Sequence, residues 1–173
     1  MSFYLSVAQK GINSPFESLI QSASARYGVS TSLIKAIISQ ESQWKPDAVN
    51  LSDPSYGLMQ LNFNYFKTSS GQPILDPEEN INRGTAYLAE QTNRFGPEES
   101  AIISSYNAGH PISGNLSNYV QPVLQYRDWF VANDNGQTQP PEDTPDWGTD
   151  DADLKLVAGI VIFGMLAFAL WRR

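Results

Sequence analysis

A chain of 173 residues has room for one modest domain with its own core, plus appendages. Its formal net charge of −7 is unevenly spread: residues 1–131 hold 8 basic and 11 acidic side chains, residues 132–153 hold 7 acids and no base, and residues 154–173 hold three bases and no acid. The nearly balanced first part has no basic stripe, which argues against nucleic acid as a partner, and the lack of cysteine excludes a disulfide framework and a thiolate metal site.

The segment from Met1 to Lys10 has neither a basic start nor a long apolar run, so it does not read as a secretory signal. Ser14-Pro15 predicts a helix start, with serine as the cap and proline at the first helical position. Phe16, Leu19, Ile20 and Ala23 form the apolar stripe of that helix, which is expected to stop at Gly28. Ser30 caps the next, and Leu33, Ile34, Ile37 and Ile38 recur at helical spacing up to a predicted end at Pro46. Glu41 falls seven, four and three residues beyond Ile34, Ile37 and Ile38, which puts a carboxylate on the apolar face, while Lys35, Ser39 and Gln40 make up the expected polar one. A carboxyl group taken out of water has its charged form disfavoured, so its pKa rises toward the range a general acid needs. Taken alone, Glu41 fits better as a helix-end acid swinging out to Lys45.

Residues 47–56 are rich in turn formers and are expected to loop back over the end of the Glu41 helix, and Gly57-Leu58-Met59-Gln60 reads as a tight backbone feature beside that acid. An aromatic group follows in Phe63, Tyr65 and Phe66. Asp76-Pro77-Glu78-Glu79 is a helix start with acids where the macrodipole favours them, and Ile81, Gly84, Tyr87, Leu88, Gln91 and Phe95 give its buried side up to Gly96. Pro97 opens a further helix that closes at Asn107-Ala108-Gly109, and a last one carries Tyr119, Val120, Val123, Leu124, Tyr126 and Phe130. Nothing alternates with period two, so strands are at most minor.

From Ala132 to Asp153 the chain is acidic, holds Pro140, Pro141 and Pro145, and has Trp147 as its one aromatic residue, so it cannot bury enough apolar surface to order itself and reads as a tether. Leu156 to Trp171 is free of charge and bracketed by Lys155 and Arg172-Arg173. At ~1.5 Å per residue it spans roughly 24 Å, which snorkelling of the flanking bases brings close to a ~30 Å hydrocarbon core. The domain plan is therefore a folded domain over 1–131, a linker over 132–153 and a transmembrane anchor with a basic tail over 154–173, with lipid contacted through 154–171. Its small residues form no Gly-xxx-Gly pair, so helix dimerisation is not indicated.

Five blocks in order carry a resemblance: Glu41-Ser42, Tyr56-Gly57-Leu58-Met59-Gln60, the run from Asp76-Pro77 through Asn80-Ile81 and Gly84 to Tyr87-Leu88, Ser105-Tyr106-Asn107-Ala108-Gly109, and Tyr119-Val120. Over about Phe16 to Val123 the chain resembles the soluble lytic transglycosylase family. The resemblance implies a mainly α, lysozyme-like fold of the goose-type and lytic transglycosylase kind. It also implies cleavage of the bond between N-acetylmuramic acid and N-acetylglucosamine in peptidoglycan, with 1,6-anhydro product. By the same resemblance Glu41 is the sole catalytic acid/base, and Met59, Gln60, Tyr106, Asn107 and Tyr119 line the glycan groove. Gly57 lets the backbone come close, and no cofactor or metal is implied. Two departures stand out. Tyr56 replaces a common serine, and Ile112 to Asn118 replaces a Pro-x-Glu-Thr stretch.

From the residues alone, alternatives stay open. Leu58 and Met59 also fit a core, Gln60 and Asn107 fit local backbone partners, and Tyr106 and Tyr119 fit packed aromatics. His110, the single histidine, reads as a loop residue at the groove edge, since one histidine without cysteine makes no structural zinc site. A rival enzyme reading is a hydrolytic muramidase with Asp53 as second carboxylate, as in goose-type lysozymes. A rival from another class is a non-catalytic wall-binding or membrane-structural protein. The charge pattern around 154–171 orients the domain outside and the tail inside. Membrane-containing bacteriophage virions are similar in carrying a small transglycosylase with a C-terminal membrane segment, which implies wall breaching during entry from the virion inner membrane. The other location expected is a bacterial inner membrane with the domain facing the periplasm.

Overall fold

Helix α3 (Thr31–Glu41) packs against the first, second and last helices of the fold, most extensively the last. The computed structural model describes residues 3–112 and 116–134. In chain order these form α1 (Phe3–Ile12), α2 (Glu17–Tyr27), α3, the short strands β1 (Val49–Asn50), β2 (Ser55–Tyr56) and β3 (Leu61–Asn62), α4 (Pro77–Phe95), α5 (Glu99–Ala108), a π-helical turn (Leu116–Val120) and α6 (Gln121–Asn133). The fold is mainly helical, as the spacing predicts. The strands make one antiparallel sheet in the order β1-β2-β3, with Asn50 opposite Ser55 and Ser55 opposite Asn62.

The local signals place most helix ends. Ser30 accepts a hydrogen bond from the Leu33 amide, Asp76 accepts one from Glu79, and Glu98 accepts two from Ser100 and Ala101, each satisfying amides that the first turn leaves without partners. Gly28 (φ 66°) and Gly109 (φ 76°) close α2 and α5 in the left-handed region.

Helix α1, over residues 3–12, is an addition to the elements expected from spacing, and its Val7, Ala8 and Gly11 are buried against α3 and α6. Three expectations are corrected. First, Ser14 caps only a single turn: its hydroxyl accepts from the Phe16 amide and its carbonyl from Glu17, and α2 begins at Glu17. Second, α3 ends at Glu41, well before Pro46, because the chain turns left-handed at Gln43 (φ 54°) and Trp44 (φ 71°). The expected polar face of α3 is the third, since Lys35 and Ser39 are buried and the helix is enclosed on nearly all sides. Lys35 is fully buried because its ammonium is paired, 2.7 Å from Glu17 on α2 and in contact with Asp134 at the end of α6.

The core gathers Ile34, Ile37 and Ile38 of α3 with Ile20, Leu58, Met59, Ile81, Leu88, Ile103, Val123 and Phe130. Helix α6 runs through Asn133, two residues past the expected boundary at 131. The rest of the acidic segment and the apolar stretch 154–171 lie outside the described residues. Among the described residues, no helix is long and apolar enough to cross a membrane.

Candidate active site

A cleft of about 680 Å3 opens beside the C-terminal end of α3, bounded by the sheet, α4 and the end of α5. Glu41, the last residue of α3, lies in it. Burial pushes its carboxyl from the ordinary 4.5 up to about 7, and a hydrogen bond from Tyr119 pulls part of the way back. Its place at the negative end of the α3 dipole acts in the same upward direction. Tyr119, carried by the π-helical turn that precedes α6, donates its hydroxyl to Glu41 Oε1. No ion pair joins Glu41 to Lys45 among the described residues, since the unwinding after Glu41 breaks the helical spacing that such a pair needs.

Tyr106 stands on the α5 side. Its hydroxyl donates to the Met59 carbonyl at 2.7 Å, and burial, then the nearby Glu41, hold its pKa well above 10. Its ring lies 5.5 Å from that of Tyr87, which in turn sits 5.5 Å from Phe66. Burial raises Tyr87 to about 12, so both phenols stay neutral and protonated at any pH near 7. Asn107 is exposed on the cleft wall with His110, whose Nδ1 lies 3.1 Å from the Ala108 carbonyl, at the groove edge as expected.

Gln60 lines the cleft with φ 48°, its amide donating to the carbonyls of Ala48 and Gly57. Two residues expected at the groove sit behind it instead. Met59 is fully buried, with its sulfur packed on Gly84 so closely that a methyl group there would come within 2.4 Å. Its contribution is its backbone, whose carbonyl receives Tyr106 and whose amide donates to Asn80. Gly57 (φ 79°) is buried against Asn80, where a Cβ would come within 2.3 Å of the side-chain nitrogen. Thus Glu41, Gln60, Tyr106 and Asn107 share the cleft, Tyr119 supports Glu41, and Gly57 and Met59 hold the loop beneath them. Tyr56, at the position of the expected serine, packs edge-on against Phe63 with centroids 6.1 Å apart.

Sequence reasoning missed a polar strip on the opposite wall. Asn50, Ser55 and Asn62 all line the cleft because they occupy one rung of the three-stranded sheet. Two-residue strands leave no alternation to read, so this rung is visible only once the register is known. Asp53 also lines the cleft and accepts a hydrogen bond from Asn62 at 2.6 Å. Among the described residues, no group of three His, Cys, Asp or Glu side chains is placed to hold a metal ion.

One acid held near neutrality, flanked by neutral phenols and amides in a cleft, is an arrangement suited to protonating a leaving group. Residues 18–123 match the family model described as the transglycosylase SLT domain. The chain belongs to that family. Among curated relatives, the membrane-bound lytic murein transglycosylases C of Yersinia pestis (strain Pestoides F) and Yersinia pseudotuberculosis serotype O:1b (strain IP 31758) are each 41% identical to it over 109 residues, which covers 53% of this chain and 30% of theirs. The chain therefore spans less than a third of the length of these relatives. The SLT match takes in Glu41, the whole sheet, Tyr106 and Tyr119, while α1 and most of α6 fall outside it.

Proposed function

We propose that this SLT-domain chain cleaves the glycan strands of bacterial peptidoglycan as a lytic transglycosylase, with Glu41 as its only acid/base. The observation that carries this reading is the Glu41 carboxyl itself, lifted to about 7 in the cleft and hydrogen-bonded by a tyrosine hydroxyl rather than paired with a second carboxylate. Protonated Glu41 gives its proton to the glycosidic oxygen as the bond to the muramic C1 breaks. The muramic N-acetyl carbonyl stabilises the developing cation, as in the substrate-assisted exceptions to the two-carboxylate rule. Glu41, now ionised, takes the proton of the C6 hydroxyl, whose oxygen closes onto C1 to give the 1,6-anhydro ring without consuming water. Gln60, Asn107 and the sheet amides bind the sugars, and Tyr119 orients the carboxyl. Mass spectrometry of digested peptidoglycan tests this: 1,6-anhydro ends are expected, and they vanish in Glu41→Gln.

A second reading has its own observation. Asp53 lies in the same cleft, and a carboxylate there that positions water would make the chain a muramidase. Reducing muramic ends in the same assay, lost in Asp53→Asn, would establish hydrolysis instead. A biological phenotype untouched by Glu41→Gln would leave the wall-binding, non-catalytic reading, and full loss of lysis in that variant would dispose of it.

For location, we infer that residues 154–171 anchor the enzyme to a lipid membrane, with local wall breaching during bacteriophage entry as its role. Support comes from the uncharged run between Lys155 and Arg172. Flotation of the full chain with vesicles, and its presence in the membrane fraction of purified virions, are the expected results. A chain that stays in the soluble fraction of both would refute this location.

A further inference from the structure

The turn that ends α3 is built in an unusual way. Gln43 (φ 54°) and Trp44 (φ 71°) follow one another in the left-handed region, which bulky side chains rarely enter and which surrounding structure must hold. What holds it is the indole of Trp44, which is 8% exposed. Its Nε1 donates to Ser39 Oγ at 2.9 Å, and Ser39 donates to the Lys35 carbonyl at 2.8 Å, so the buried serine hydroxyl is oriented to receive the indole. The ring meets Phe130 of α6 edge-on, with centroids 6.3 Å apart. From the third side comes α1. At Gly11 a methyl group would lie 2.4 Å from Trp44 Cζ2 and 2.7 Å from the Phe130 ring, so the absence of a side chain there is what admits the indole.

We propose that Trp44, seated in the slot formed by Gly11, Ser39 and Phe130, is a positioning residue for Glu41, and that α1 and α6, largely outside the family-matched stretch, thereby set the acid's geometry. Trp44 does not line the cleft, so it acts through the chain and not on substrate. Glu41 lies three residues before it, and Tyr119, the hydrogen-bond partner of Glu41, lies on the turn that leads directly into α6. Both supports of the carboxyl are thus referred to one helix. Moving the indole tilts the end of α3 while Tyr119 stays with α6, which loosens the Tyr119–Glu41 contact.

The role rests on the acid/base reading of Glu41, and the test separates the two. Full-length Ser39→Ala and Gly11→Ala are assayed on soluble peptidoglycan glycan fragments for kcat, KM and the pH dependence of kcat, with melting temperatures measured in parallel. Each is expected to lower kcat between roughly tenfold and a hundredfold with KM changed less than about twofold, as misplacement of a catalytic group does. The fall in rate with rising pH should move to higher pH, because the Tyr119 hydrogen bond that lowers the Glu41 pKa is loosened. Adding Trp44→Phe to Gly11→Ala should restore part of kcat by making room in the slot. If Gly11→Ala does not fold, Ser39→Ala, which removes only a hydroxyl, decides on the same readouts. Unchanged kcat and pH profile in the folded variants overturn the proposal, as does activity lost in step with melting temperature with the pH limb unmoved. An active Glu41→Gln would refute the acid/base reading, whereas an inactive Glu41→Gln beside an unaltered Ser39→Ala refutes the positioning role alone.

Discussion

Glu41 is the residue whose physics is least comfortable in the folded state. Its carboxyl is lifted from 4.5 to about 7 mainly by burial, so between those pH values the folded chain keeps a proton that the unfolded chain has released. Stability from this group is therefore fully present below about pH 4.5 and is lost as pH rises through 7. The full effect is roughly 3 kcal/mol, which is a large part of the stability of a domain this size. Glu41→Gln is neutral at every pH and escapes the loss. Urea unfolding at pH 4 and pH 8 should show the stability of Glu41→Gln, relative to the parent chain, rising by that amount toward pH 8. Parallel curves at the two pH values would mean that the carboxyl is as well solvated folded as unfolded.

At the scale of elements, the cleft floor depends on one buried amide from α4. Asn80 is fully buried, donates to the carbonyls of Tyr56 and Ile74 at 2.9 and 2.8 Å, and accepts from the Met59 amide at 2.8 Å. It thus ties the sheet, the Gly57 turn and the loop before α4 to a single point, and through Met59 it sets the carbonyl that receives Tyr106. Asn80→Ala removes the side-chain partner of three backbone groups, those of Met59 and Ile74 buried and that of Tyr56 partly so, and should cost roughly 3 kcal/mol or more in chemical denaturation. Asn80→Asp, almost identical in shape, should be no better, since an oxygen would face two carbonyl oxygens. A near-native Asn80→Asp would show that packing and not hydrogen bonding holds the loop. Helices α2 to α5 were readable in the sequence because their caps are local: Ser30, Asp76, Gly28 and Gly109 each act within a few residues. The sheet rung of Asn50, Ser55 and Asn62 and the end of α3 were not. The rung exists only through pairing register, and the left-handed turn at Gln43 and Trp44 is held by Gly11 and Phe130, far off in the chain.

For the molecule as a whole, the misread polar face of α3 shows how the two ends of the domain are joined. Lys35 reads as a solvated residue by helical spacing, yet it is fully buried because Glu17 on α2 and Asp134, 99 residues later, bring carboxylates to it. The Phe130 ring, 5.9 Å from the ammonium, completes the enclosure. Asp134 closes α6, so the first acid of the segment that composition marks as a tether belongs to the folded domain. Charges this well enclosed are little screened by salt, and removing one partner leaves the other uncompensated. A chain ending at residue 131 should accordingly be less stable than one ending at 136, by roughly 2 kcal/mol, less than the full cost of a broken buried pair because Glu17 remains. Asp134→Asn in the longer chain should reproduce most of that loss, and raising the salt from 0.1 to 1 M should reproduce little of it, where these salt levels are roughly those that shorten the screening length from 10 to 3 Å. Equal denaturation midpoints for the two lengths would place the end of the stable domain at 131 and make the Lys35–Asp134 contact incidental. A loss that appears on truncation but not in Asp134→Asn would assign the stability to the last turn of α6 and not to the ion pair.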